Sequence, residues 1–132
     1  MLDPDRKKEE RLQKEDPVEK FKDILSTLIL QDKVGLEGKN NSLDILGNKD
    51  GEFIGYHDED FLYLIPSAIW RSLQMYSRDS NSTFPVSKNT LYQMLRNKGW
   101  IEGDGNRNTV YVWLQGKTQK VLKCHRSYIL SI

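Results

Sequence analysis

The sequence predicts an α+β fold, and two patterns carry that expectation. Apolar residues recur at helical spacing in three separated stretches, around Val18–Ile29, Ile69–Tyr76 and Leu91–Leu95. Two other stretches, EFIGYHDEDFLYLI and TVYVWLQGKTQKVL, are rich in aromatic and β-branched residues and are broken by polar turns. At 132 residues the chain has room for one ordinary core and not comfortably for two.

Residues 1–15 mix both charge signs densely and hold only Met1, Leu2 and Leu12 as apolar residues. Such a stretch buries too little surface to offset its ordering entropy, so it reads as a charged linker or frayed helix, with the domain proper over 16–132. Asp16-Pro17-Val18-Glu19 then supplies an N-cap acceptor, a proline at the first helical position and a carboxylate in the first turn. Val18, Phe21, Ile24, Leu25, Leu28 and Ile29 follow on one face, predicting a helix over 17–31.

Gly- and Asn-rich sequence comes next, with a short strand near Val34–Glu37, an irregular connection over roughly 40–50, and a pairing partner near Leu43–Leu46. Residues 52–65 read as a hairpin whose tip is His57-Asp58-Glu59-Asp60. A histidine among three acids is the residue set of a metal or acid–base site, but in a hairpin tip it reads as solvated turn. Pro66-Ser67 opens a second helix over 67–78, carrying Ile69, Trp70, Leu73 and Tyr76. Phe84-Pro85-Val86 is extended, because the residue before proline is driven out of helical space. Ser87 caps a third helix over 88–98, with Leu91, Met94 and Leu95 inward and Gly99 as its stop. A β-ribbon over 109–124 ends the pattern: Val110, Val112 and Leu114 alternate with Tyr111 and Trp113, and Val121-Leu122 lies on the return strand. The expected core gathers Phe21, Leu25, Leu28, Ile69, Leu73, Leu91, Leu95 and Val121.

Three helices, a small hairpin and a C-terminal ribbon, in this order, have the connectivity of a winged helix-turn-helix. In that device the third helix fits the major groove and the ribbon forms the wing. The outward residues of the third helix are then Lys88, Asn89, Tyr92, Gln93 and Arg96; Arg107 precedes the wing, and Lys117 and Lys120 lie on it. Asn89, Gln93 and Arg96 share one helical stripe and are able to bond base edges, whereas Lys88, Tyr92 and the wing lysines suit phosphates. Arg107 fits either a phosphate contact or a brace for its own turn. Any exposed helix carries such residues, and a protein–protein adaptor has the same composition. A continuous basic patch on this surface favours DNA; an exposed aromatic cluster around Tyr92, Tyr111 and Trp113 favours a protein partner.

Charge bears on that choice. Residues 81–132 hold eight Lys/Arg against two Asp/Glu, a net of +6, while residues 1–80 are net −5. The asymmetry fits a polyanionic partner, and equally a solvated basic face with none.

Other classes are disfavoured. Cys124 is alone, so no intramolecular disulfide forms. With His125 and His57 it falls short of the about four ligands of a structural zinc, so no metal or cofactor is expected. Cys124 and His125 alternate to opposite faces of a strand, which leaves no nucleophile–base pair and no expectation of catalysis; Cys124 reads as a half-buried strand residue. No apolar run approaches the ~20 residues of a membrane span, and the N-terminus has no apolar leader, so a cytoplasmic protein is expected.

From DPVEKF through LYLIPSAIW to FPVSKNTLYQMLRNKGWIEGDGNRNT and QGKTQKVLK, the chain resembles the C-terminal winged-helix-like domain of primase–helicase proteins of phages, plasmids and genomic islands. The resemblance covers about 110 residues, from Asp16 to Leu122. It implies a non-catalytic domain of a mobile-element DNA replication protein, accessory to an upstream primase or helicase ATPase. Its partner is then DNA, duplex or single-stranded, or alternatively another replication protein that it docks. No GxxxxGK[ST] phosphate loop occurs here, consistent with an ATPase upstream and with residues 1–15 as the junction.

Overall fold

A computed structural model describes residues 16–130; the expected linker at 1–15 lies outside the described residues. The chain runs α1 (Pro17–Leu30), β1 (Val34–Gly38), β2 (Ile45–Gly47), β3 (Glu52–His57), β4 (Phe61–Leu64), α2 (Pro66–Asp79), α3 (Lys88–Asn97), β5 (Ile101–Glu102), β6 (Val110–Leu114), β7 (Lys117–His125) and α4 (Arg126–Ile129). The fold is α+β. The three long helices end within a residue of their expected bounds, because each boundary is written locally. Asp16 Oδ1 accepts from the Val18 amide at 3.0 Å, Ser87 Oγ accepts from the Thr90 amide, and Gly99 takes φ +76° after α3.

The sheet is larger than the expected hairpin and wing. Seven strands form among the described residues, in the order β2-β1-β3-β4-β7-β5, with β6 on β7. β1 and β3 run parallel, and the other pairs are antiparallel. Within the connection expected over 40–50, the pairing partner expected near Leu43–Leu46 is β2, which pairs with β1 from Glu37–Ile45 to Gly35–Gly47. β1 is only five residues long, two of them glycines, and its parallel partner β3 lies well downstream in sequence.

A bulge in β3 lets both faces of the sheet be used. Gly35 pairs with Phe53 and Leu36 with Gly55, so Ile54 is the extra residue. Gly55 takes φ +153°, and a Cβ there would press on the Tyr63 carbonyl. Alternation is thereby reset: Ile54 joins the helix-side core and Tyr56 the opposite face. The helix side packs Phe21, Leu25, Ile69, Leu73, Leu91 and Leu95 with Leu36, Leu62, Leu64 and Leu122. The other side is a smaller cluster of Tyr56, Tyr63, Leu114 and Val121, covered by the β6–β7 ribbon. Val121, expected in the main core, belongs to this second one. Cys124 is fully buried rather than half-buried, and burial pushes its thiol pKa up to about 12. No helix among the described residues is long and apolar enough to cross a membrane.

Candidate nucleic-acid interface

Five of the eight sequence-predicted site residues line one groove. It has a volume of 830 Å³ and runs between the N-termini of α2 and α3 on one side and the ribbon on the other. Lys88, Asn89 and Tyr92 come from α3, Arg107 from the loop before β6, and Lys120 from β7. Among the described residues, no Asp or Glu lines it. Lys88, Arg107 and Lys120 form no ion pair among the described residues. Two helix N-termini add positive potential. α3 begins at Lys88, and α2 begins after Ile65 with no side-chain cap, so its first amides have neither an intrahelical nor a capping partner.

Three expectations within this site are corrected. Tyr92 does not face outward: it is 4 % exposed, and its hydroxyl donates to the Pro66 carbonyl at 2.8 Å. Burial pushes its phenol pKa up, so it remains a neutral pin between α3 and the start of α2 rather than a phosphate ligand. Its position, one residue past Leu91 and three before Leu95, widens the buried arc of the helix beyond the expected stripe. Arg96 does not present a free guanidinium. Nη1 donates to the Arg107 carbonyl at 3.0 Å and Nη2 to the Gly105 carbonyl, so Arg96 braces the loop, the role weighed for Arg107. Asn89 and Gln93 are exposed, but Gln93 lies outside the groove, and its Nε2 donates to Asn97 Oδ1 at 2.9 Å. The stripe of three base-reading residues is therefore reduced.

Arg107 is aimed by a tight turn. Asp104 and Arg107 exchange backbone hydrogen bonds of 3.0 and 2.9 Å around Gly105-Asn106, with Gly105 at φ +58°. Lys117 is exposed but stands at the far end of the ribbon, paired with Leu114, whereas Lys120 pairs with Tyr111. That separates Lys117 from Lys120 by three residues, about 10 Å along the strand, and leaves it outside the groove.

The ribbon is held down rather than free. Gln115 Nε2 donates to the Gly38 carbonyl at 2.9 Å, and Gln119 Nε2 donates to the Tyr56 hydroxyl at 3.0 Å. Its inner face supplies Leu114 and Val121 to the second core. Its outer face exposes Tyr111 (61 %) and Trp113 (65 %). The signal for this pair was present in the sequence as the outward half of an amphipathic strand.

The hairpin tip is also corrected. His57 lies in β3 and is 6 % exposed, not a solvated turn residue. Arg126 Nη1 lies 3.4 Å from His57 Nδ1, and an arginine only donates; Nδ1 therefore accepts, and Nε2 donates to the Asp44 carbonyl at 2.8 Å. Asp58 closes the turn, with Oδ1 accepting from the Asp60 and Phe61 amides and Oδ2 from the Tyr63 hydroxyl at 2.5 Å. Burial pulls the Asp58 carboxyl up, but these donors and Lys39 outweigh it and hold the pKa below the usual range. Among the described residues no three His, Cys, Asp or Glu side chains are grouped as a metal site requires.

Comparison with protein-family models, with curated proteins and with solved structures finds no match for this chain.

Proposed function

We propose that this chain is a non-catalytic nucleic-acid-binding module built on a winged helix-turn-helix, with α2 and α3 as the helical pair and β6–β7 as a wing enlarged by the sheet beneath it. One observation carries the reading. Among the described residues, Lys88, Arg107 and Lys120 have no ion-pair partner, and they and two helix N-termini converge on a single groove that no described carboxylate lines. That arrangement suits a chain of phosphates, whose contacts supply affinity through counterion release. The resemblance to the C-terminal domains of mobile-element primase–helicases makes an upstream replication ATPase the natural partner, with the module holding the nucleic acid on which it works.

Titration against single-stranded, duplex and forked DNA at two salt concentrations tests this. Affinity falls steeply with salt, and Lys88→Ala, Arg107→Ala and Lys120→Ala each lower the salt slope by about one. Lys117→Ala, outside the groove, has a smaller effect. A chain that binds no DNA form at low salt loses this reading. The exposed Tyr111 and Trp113 then favour an adaptor surface for another replication protein.

A further inference from the structure

We infer that the nucleic acid taken by this surface is single-stranded, with bases stacked on Tyr111 and Trp113 and the backbone held by Lys120, Arg107 and Lys88. The inference rests on the reading above and specifies its ligand. Tyr111 and Trp113 are alternate residues of β6 and so point to the same side of the ribbon. Their cross-strand partners are Lys120 and Thr118. Tyr111 and Lys120 line the groove itself; Trp113 lies outside it, two residues farther along the same exposed face of the ribbon. A groove lined by Lys88, Arg107, Lys120 and Tyr111 thus adjoins the ribbon face that exposes Trp113.

The two exposed rings have Lys120 and Thr118, a cation and a hydroxyl, as their cross-strand neighbours. They are well suited to bases, each of which offers a π face whatever its identity. A closed duplex hides those faces between neighbouring pairs and shows only base edges in its grooves. The ring-bearing residues are also about 6.8 Å apart along the strand, twice the 3.4 Å rise of stacked base pairs. Bases that lay a π face on either ring must be unpaired, because a closed duplex keeps those faces covered. The helix-groove alternative is weakened at the same time, since Arg96 is committed to the loop and Tyr92 is buried.

Trp113 reports on this directly, because Trp100 is buried and Trp70 is half-buried against Phe84. The probes are an oligo-dT strand and a duplex closed by hairpins at both ends, which has no free terminal base to stack. Oligo-dT binds and quenches tryptophan emission, while the closed duplex binds more weakly and does not quench. Tyr111→Ala and Trp113→Ala each weaken oligo-dT binding by roughly 5- to 150-fold. Trp113→Phe keeps most of the affinity and loses the quenching. If the aromatic variants bind oligo-dT like the parent, or the closed duplex quenches equally, stacking is overturned while nucleic-acid binding stands. If neither probe binds at low salt, the reading beneath it falls as well.

Discussion

Arg96 shows how a residue can serve a site without touching its ligand. Its guanidinium fork bridges the carbonyls of Gly105 and Arg107, and so fixes the loop from which Arg107 reaches the groove. Gly103 makes room for it, since a Cβ there would lie 2.6 Å from Arg96 Nε. Arg96→Ala should cost about 1 kcal/mol in chemical denaturation, because the carbonyls it frees are reached by water. It should weaken DNA binding while leaving the salt slope near that of the parent. Arg107→Ala should lower the slope by about one, and equal slopes for the two variants would put Arg96 on a phosphate. Helical periodicity made the exposed stripe of α3 legible, Arg96 included. It carries no information on a loop nine to eleven residues downstream that folds back onto the stripe, and it cannot separate a phenol that faces water from one that donates to a carbonyl in another helix.

The β6–β7 ribbon was legible as an element and not as a layer. Alternation from Val110 to Leu114 marks a strand with one wet face, and Gln115-Gly116, at φ +48° and +90°, forms the turn. Its destination depends on residues far away in sequence: Tyr56 and Tyr63 beneath it, and the Gly38 carbonyl that anchors Gln115. One local hint was the consecutive apolar pair Val121-Leu122. There β7 passes from its pairing with β6 to its pairing with β4, and the two side chains serve opposite cores. Leu114 and Val121 are the ribbon's fully buried contributions to the smaller cluster, and Leu114 is the larger. Leu114→Ala should cost roughly 2–5 kcal/mol if the small cluster cannot collapse around the gap. Amide exchange should accelerate first in β6 and the Gln115–Gly116 turn, before α1 and α3 lose protection. Uniform acceleration across the chain would show instead that the two cores unfold together.

At the scale of the whole molecule, a sheet with helices on one face and a ribbon on the other buries several titratable groups between its layers. Cys124 faces the helices, Tyr92 lies under α2, and Tyr63 sits in the second core. Burial raises all three pKa values, the Cys124 thiol to about 12, and for Tyr63 the Asp58 carboxylate adds to the effect. Their ordinary values lie near 9.0 for the thiol and 10.0 for the phenols. The sign follows from proton linkage. Where a folded pKa is raised, the native state keeps its proton after the unfolded chain has lost its own, so the unfolded state gains on the native one as pH rises. The stabilisation is complete below the ordinary values and is lost progressively through the folded ones. The urea midpoint should therefore hold from about pH 7 to pH 8.5 and fall between about pH 9 and pH 12. Cys124→Ala and Tyr92→Phe each remove one ionisable group, so each should flatten that fall even though each lowers the midpoint at neutral pH. In the parent, a thiol reagent should reach Cys124 only at the rate at which the sheet opens. A midpoint that stays level to pH 11, or a Tyr92→Phe variant with the parent's full alkaline slope, would mean that these groups are open to water and that the two layers are looser than described.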